Sequence, residues 1–132
     1  MLEEVDGAAL IDARVGNRQV QFLPRDIAGY ASLDTYAGTS RPLRRSDAGG
    51  LILTTSGSAV SIVVPPASVT PFQYPVRISV AQMGAGQVTF VAGAGVQIDT
   101  PETLKIAKQF ASATLVGYAA DFWVLAGYLE AA

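Results

Sequence analysis

The sequence predicts an all-β protein: an antiparallel β-sandwich or barrel-like (jelly-roll-like) domain with an N-terminal β-hairpin arm. Short segments of alternating apolar and polar residues recur along the chain, separated by turns rich in Gly and Pro. No segment shows the 3.6-residue apolar period of a substantial helix. Residues 1–47 hold 13 of the 20 charged side chains. This asymmetry divides the chain into an arm at 1–45 and a compact domain at 46–132.

The arm carries the pattern of a hairpin. Two alternating segments, 11–15 and 19–22, flank the two-residue turn Gly16-Asn17. Because a two-stranded ribbon is marginal alone, its apolar face must pack on another surface. That face contains Ile11, Val20 and Phe22, which are candidate attachment residues.

The rest of the arm is predicted to be irregular. Residues 24–33 suit a short helix or a loop, and residues 35–46 suit a linker. The linker holds the one basic cluster, Arg41, Arg44 and Arg45. Two interpretations stay open for this cluster: it docks on acidic groups of a capsid or a neighbouring chain, or it is a solvated linker.

Seven short strands are predicted in the domain, and the last two form a hairpin across residues 119–121. They lie at 51–54, 59–64, 76–81, 88–92, 96–98, 113–118 and 122–127. Residues 100–109 suit one helical turn. The Gly-Ala-Gly segments at 84–86 and 93–95 lie between strands, which favours hairpin turns with positive φ over a phosphate-binding loop.

The alternation also predicts which side chains are buried. The predicted core consists of Val60, Ile62, Val64, Ile78, Val80, Val88, Phe90, Leu115, Trp123 and Leu125. Phe122 then points away from the core and is a surface or interface candidate. Tyr128, with Tyr74 and Tyr118, suits an interface rim because tyrosine is amphipathic.

Composition argues against catalysis. The chain has no histidine and no cysteine, so it lacks the commonest general base, the thiol nucleophile and the usual zinc ligands. Asp99 and Glu102 could form a weak calcium or glycosidase-like pair, but a turn beside Pro101 accounts for them more simply. We expect no catalytic residues, no metal site and no cofactor.

Charge is sparse and nearly balanced. Charged residues make up 15% of the chain and the net charge is −2, against about 25% charged residues in an average soluble domain. This balance gives no electrostatic reason to expect binding to nucleic acid or to a membrane. The mean hydropathy of +0.34 instead suggests that partner chains cover part of the surface.

Three segments, in order, carry a resemblance to a known family. They are DAGGLILTTSGSAVSIVVPP at 47–66, FQYPVRISVAQMGAGQVTFVAGAGVQI at 72–98 and ATLVGYAADFWVLAGYL at 113–129. Together they resemble the small β-rich modules of tailed-bacteriophage tail-fibre, head-fibre and decoration proteins. The resemblance covers about two-thirds of the chain and leaves the first 40 or so residues without a family interpretation.

The resemblance implies a virion component, commonly a homotrimer, that is assembled in the host cytoplasm and binds phage capsid or tail proteins. A short chain favours capsid decoration or a short head fibre. The alternative is a tail-fibre-like module that binds a receptor such as host glycan. The resemblance transfers no catalytic residue.

Overall fold

The protein is all-β. The computed structural model describes residues 29–132, so the predicted hairpin with Ile11, Val20 and Phe22 lies outside the described residues. One compact unit spans Ala31–Ala132. Its strands are β1 (Leu33–Tyr36), β2 (Ser40–Pro42), β3 (Leu51–Thr54), β4 (Val60–Val64), β5 (Val76–Gln82), β6 (Val88–Ala92), β7 (Gln97–Asp99), β8 (Ser112–Ala119) and β9 (Phe122–Gly127). Within this described part, the one helical element is a 3₁₀ turn at Arg45–Asp47.

The strands form two sheets. A six-stranded sheet has the order β1-β3-β5-β8-β9-β7, and a three-stranded sheet has the order β2-β4-β6. The chain passes from the first sheet to the second three times, in β1–β2, β3–β4 and β5–β6. We call each such strand–corner–strand unit a coil. Equivalent strands of successive coils pair in parallel, so the coils stack in the manner of a solenoid.

The last part of the chain extends the six-stranded sheet. Strand β8 pairs antiparallel with β5, and β9 pairs antiparallel with β8. Strand β7 pairs in parallel with β9 and forms one edge. The predicted final hairpin is therefore confirmed, and Asp121 in its turn has a positive φ of 65°.

The predicted strands are confirmed with small shifts at their ends, but the predicted antiparallel pairing is wrong for most of them. Five of the seven strand pairings in the described residues are parallel. The reason lies at the corners. The turns after β3 and β5 carry the chain to the opposite sheet, so the strands that flank each turn do not pair with each other.

The segment predicted as a linker contains structure. Strands β1 and β2 and the 3₁₀ turn fall at 33–47, inside the first coil. The compact unit therefore begins at Ala31, earlier than the predicted boundary at residue 46. At 100–109, where one helical turn was expected, the chain has no helix and makes isolated bridges through Lys105 and Ile106.

The core lies between the two sheets. All ten predicted core residues are buried, as are Leu43, Ile52, Ile106 and Leu129. Trp123 is 1% exposed, and the rings of Phe72 and Tyr74 meet it edge-on at centroid distances of 5.5 and 6.5 Å. Burial of such a large ring is a major part of the apolar stabilisation.

The glycines of the corner after β5 permit close backbone stacking. A Cβ on Gly86 would lie 1.8 Å from the carbonyl oxygen of Ser58, and one on Gly84 would lie 2.3 Å from that of Ser56. The expected positive φ occurs at Gly95 but at neither of these two glycines. Their role is to let one corner lie against the corner of the preceding coil.

Side chains at the corners also complete the backbone hydrogen bonding. Residues Tyr36, Thr54 and Gln82 occupy one register position at the ends of β1, β3 and β5. The Tyr36 hydroxyl bonds to the backbone of Ser40, and Gln82 Oε1 accepts the Val88 N–H at 3.0 Å. In the middle coil, Thr54 Oγ1 is buried without a hydrogen-bond partner.

A buried ion pair holds the first coil together. Arg41 on β2 is 1% exposed and donates two 2.8 Å hydrogen bonds to the carboxylate of Asp47. It also pairs with Asp34 on β1, and Asp47 accepts the Arg44 backbone N–H at 2.7 Å. The hydrogen bonds that Arg41 donates to Asp47 raise the pKa of Arg41 above its usual value, so Arg41 stays charged across the working pH range.

We expect Asp47→Asn to lower the free energy of unfolding by about 3–5 kcal/mol, because it leaves the buried Arg41 charge without its bidentate partner. Urea denaturation followed by circular dichroism measures this. Asp34→Asn is the matched control: the Asp34 side chain is 41% exposed and Asp47 still pairs with Arg41, so the loss should be smaller, roughly 1–2 kcal/mol. Equal losses from the two variants would contradict the assigned geometry.

A second substitution tests the corner stacking. Gly86→Ala should destabilise the protein by about 2 kcal/mol or more, because the new methyl group overlaps the Ser58 backbone. Gly57→Ala, in the preceding corner, meets nothing within 4 Å and should change stability by less than about 0.5 kcal/mol. Thermal unfolding of both variants checks the difference, and a tolerant Gly86 would exclude backbone contact between the corners.

Candidate interaction surface

One face of the six-stranded sheet points away from the core. Successive side chains of a strand alternate between faces. The residues directly before and after the buried Ile52, Ile78, Leu115 and Trp123 along their strands therefore point outward. We call this the outer sheet face. It consists of Leu33, Thr35, Leu51, Leu53, Arg77, Ser79, Ala81, Gln97, Asp99, Ser112, Thr114, Val116, Tyr118, Phe122, Val124 and Ala126.

Part of the outer sheet face is an exposed apolar patch on β8 and β9. Val116 and Val124 are neighbours on these strands and are 36% and 37% exposed. At one end of the strands, the rings of Tyr118 and Phe122 stack with centroids 6.2 Å apart. Leu33 on β1 is 64% exposed, but half-buried and buried residues of β3 and β5 separate it from this patch. Exposed apolar patches mark interaction sites in soluble proteins.

Two charged residues lie on this face, and both belong to one row across the strands. Arg77 pairs with Val116, Val116 with Val124, and Val124 with Asp99. Three strand spacings therefore separate the two charges, or about 14 Å. Within residues 29–132, the two ion pairs both involve Arg41. Arg77 and Asp99 therefore form no ion pair within this part of the chain.

The aromatic candidates Phe122 and Tyr128 are exposed, whereas Tyr74 is partly buried against the core. Phe122 is 44% exposed and lies on the outer sheet face, opposite to the buried Trp123, as predicted. Tyr128 is 55% exposed and follows β9. Lys108 Nζ lies 5.2 Å from the Tyr128 ring centroid, a cation–π contact. Both aromatic side chains are accessible to a partner.

The predicted basic cluster does not act as a unit. Arg41 is buried in its ion pair and is therefore unavailable for attachment, because its guanidinium is fully used inside the first coil. Arg44 and Arg45 are exposed. Arg45 lines a shallow cleft whose wall also includes Gln73 and Arg77. Two of the three arginines therefore remain surface candidates.

The predicted carboxylate pair, Asp99 and Glu102, accepts hydrogen bonds within the chain, and so does Asp121 in the turn between β8 and β9. Glu102 Oε1 accepts the Ala132 backbone N–H at 2.9 Å, and Asp121 Oδ1 accepts that of Ala67 at 2.7 Å. Both Asp99 oxygens accept bonds from the Gln97 amide. No group of three or more acidic side chains able to hold a metal ion occurs in residues 29–132.

The sequence pattern did not place several members of the outer sheet face. Leu33 fell in a predicted loop, and Leu51 and Leu53 were assigned to a strand without a face. Two segments carry a sequence signal for an outer apolar face. Residues 51–53 and 122–126 are continuously apolar, so neither strand has a polar side for solvent. In an otherwise two-sided pattern, such runs indicate strands with a second apolar environment.

Comparison of the chain with models of known protein families, with curated proteins and with solved structures gave no match. Within the described residues, no helix has the length and apolar character needed to cross a membrane.

The two faces of β9 should respond differently to a polar residue. Leu125→Ser should lower the free energy of unfolding by roughly 3 kcal/mol or more, because Leu125 is fully buried. Phe122→Ser should leave the circular dichroism spectrum and the Trp123 emission maximum of the folded chain unchanged. A red shift of the Trp123 emission in Phe122→Ser would contradict the assignment of Phe122 to the outer sheet face.

Proposed function

We propose that this protein is a structural component of a bacteriophage virion, of the capsid-decoration or short head-fibre type, and that it acts by binding other protein chains. The observation that carries the proposal is the outer sheet face. Its apolar strands would be costly to leave in water, and burial against protein returns about 25 cal/mol for each Å² of apolar surface.

The coil architecture supports a mechanical role. Parallel pairing joins equivalent strands of successive coils, and the corners lie in backbone contact at Gly84 and Gly86. Such stacking joins each coil to the next through backbone hydrogen bonds in both sheets. A fold held in this way suits a particle surface component that must present a fixed interface to its neighbours.

The distribution of polar groups also favours binding over catalysis. Glu102 and Asp121 accept backbone hydrogen bonds, and Arg41 is enclosed by carboxylates. These groups stabilise the fold. The exposed side chains on β8 and β9 of the outer sheet face are mainly apolar or aromatic, as in the centres of protein–protein interfaces.

Self-association is part of this proposal, and the expected assembly is a homotrimer. The resemblance to virion modules suggests three copies, and the outer sheet face offers each copy an apolar surface to bury. Capsid or tail proteins are the further partners, bound through the N-terminal segment and through exposed groups such as Arg44 and Tyr128.

The first test is the mass of the purified 132-residue chain in solution, by light scattering on a sizing column. We expect three times 13.7 kDa, with dissociation on dilution. The apolar face would explain such an assembly without any further partner. A species of 13.7 kDa at every concentration up to the millimolar range would contradict self-association.

A further inference from the structure

We propose that the outer sheet face is the surface through which copies of this chain meet, and that Arg77 of one copy pairs with Asp99 of the neighbouring copy. The proposal rests on the self-association proposed above and adds which face is used and which charges align it.

The charge pattern of the face is the reason to choose a second copy as the occupant. Arg77 and Asp99 lie at opposite ends of one row, with Val116 and Val124 between them. A surface with one cation and one anion on either side of an apolar centre is complementary to itself. An unrelated partner would need to carry the same spacing of opposite charges independently.

Cyclic symmetry converts this pattern into contacts. When copies surround an axis parallel to the strands, the β5 side of one sheet meets the β7 side of the next. Rotation about this axis does not change the height of a residue along it, so equivalent rows of neighbouring copies lie at the same height. Around a threefold axis the neighbouring sheets are inclined to each other, so the edge strand β7 of one copy approaches the β5 side of the next, where an arginine and an aspartate side chain meet. Arg77 of one copy then faces Asp99 of the neighbour.

The apolar residues fill the space between these charges. In the same arrangement Val116 and Val124 of neighbouring copies approach each other near the axis, and the stacked Tyr118 and Phe122 rings cover one end. Charges that flank an apolar centre are common in protein interfaces; here Asp99 lies on the edge strand β7 and Arg77 lies on β5, two strands from the opposite edge. The charges set the register, and apolar burial supplies most of the affinity.

Charge reversal and its rescue test the proposal. Arg77→Glu and Asp99→Lys are each expected to raise the dissociation constant of the assembly about tenfold or more, because each variant juxtaposes like charges. The double variant restores opposite charges and should return to within about threefold of the original chain. Sedimentation at a series of concentrations measures the constants, and circular dichroism confirms that each variant is folded.

Lys105→Glu is the matched control. It makes the same change in net charge as Arg77→Glu, at an exposed residue outside the outer sheet face, and should leave the dissociation constant unchanged. A second probe, Val116→Asp, should dissociate the assembly while the chain stays folded, because Val116 is outside the core.

The outcomes separate this inference from the proposed self-association. An assembly that keeps its dissociation constant in both single variants and in Val116→Asp would overturn the inference and leave self-association standing. Single variants that weaken assembly without rescue in the double variant would overturn the Arg77–Asp99 pairing. A chain that is monomeric before any substitution would overturn both.

Discussion

Parallel stacking of the coils is the constraint on which the remaining structure depends. Each coil places one strand in each sheet, and the next coil must repeat that path at the spacing of a β-ladder. This spacing brings the corners close enough that a Cβ on Gly86 would overlap the Ser58 carbonyl. It also brings the alternating apolar residues of both sheets together, which creates the core between them.

The first coil is held differently from the other two. Its strands are short and contribute few of the buried apolar side chains, since Arg41 occupies the inward position of β2. A buried guanidinium is tolerated because Asp47 binds it in a bidentate manner and Asp34 adds a further contact. The ion pair thereby links β1, β2 and the 3₁₀ turn. The second and third coils rely on apolar packing around Ile62 and Phe90.

The six-stranded sheet carries both the stability and the proposed function. Its inner side chains, such as Leu115 and Trp123, make the core, while Val116 and Phe122 on the same two strands face outward. Because neighbouring residues point to opposite sides, side chains of the outer sheet face can change without disturbing the core.

The sequence alone determined the positions of β3 to β9, ten of the buried core residues and the outward direction of Phe122, because all three follow from local alternation and turn residues. It did not predict β1 and β2, which lie in segments with loop and linker composition. Outside the final hairpin, it did not determine which strands pair. The residues 84–86 form a corner between coils, but a Gly-Ala-Gly segment suits a hairpin turn equally well, so only the tertiary path distinguishes the two. The role of Arg41 depended on Asp47 and Asp34 folding around it. The row that joins Arg77 to Asp99 exists only because four strands, distant in sequence, align in one register.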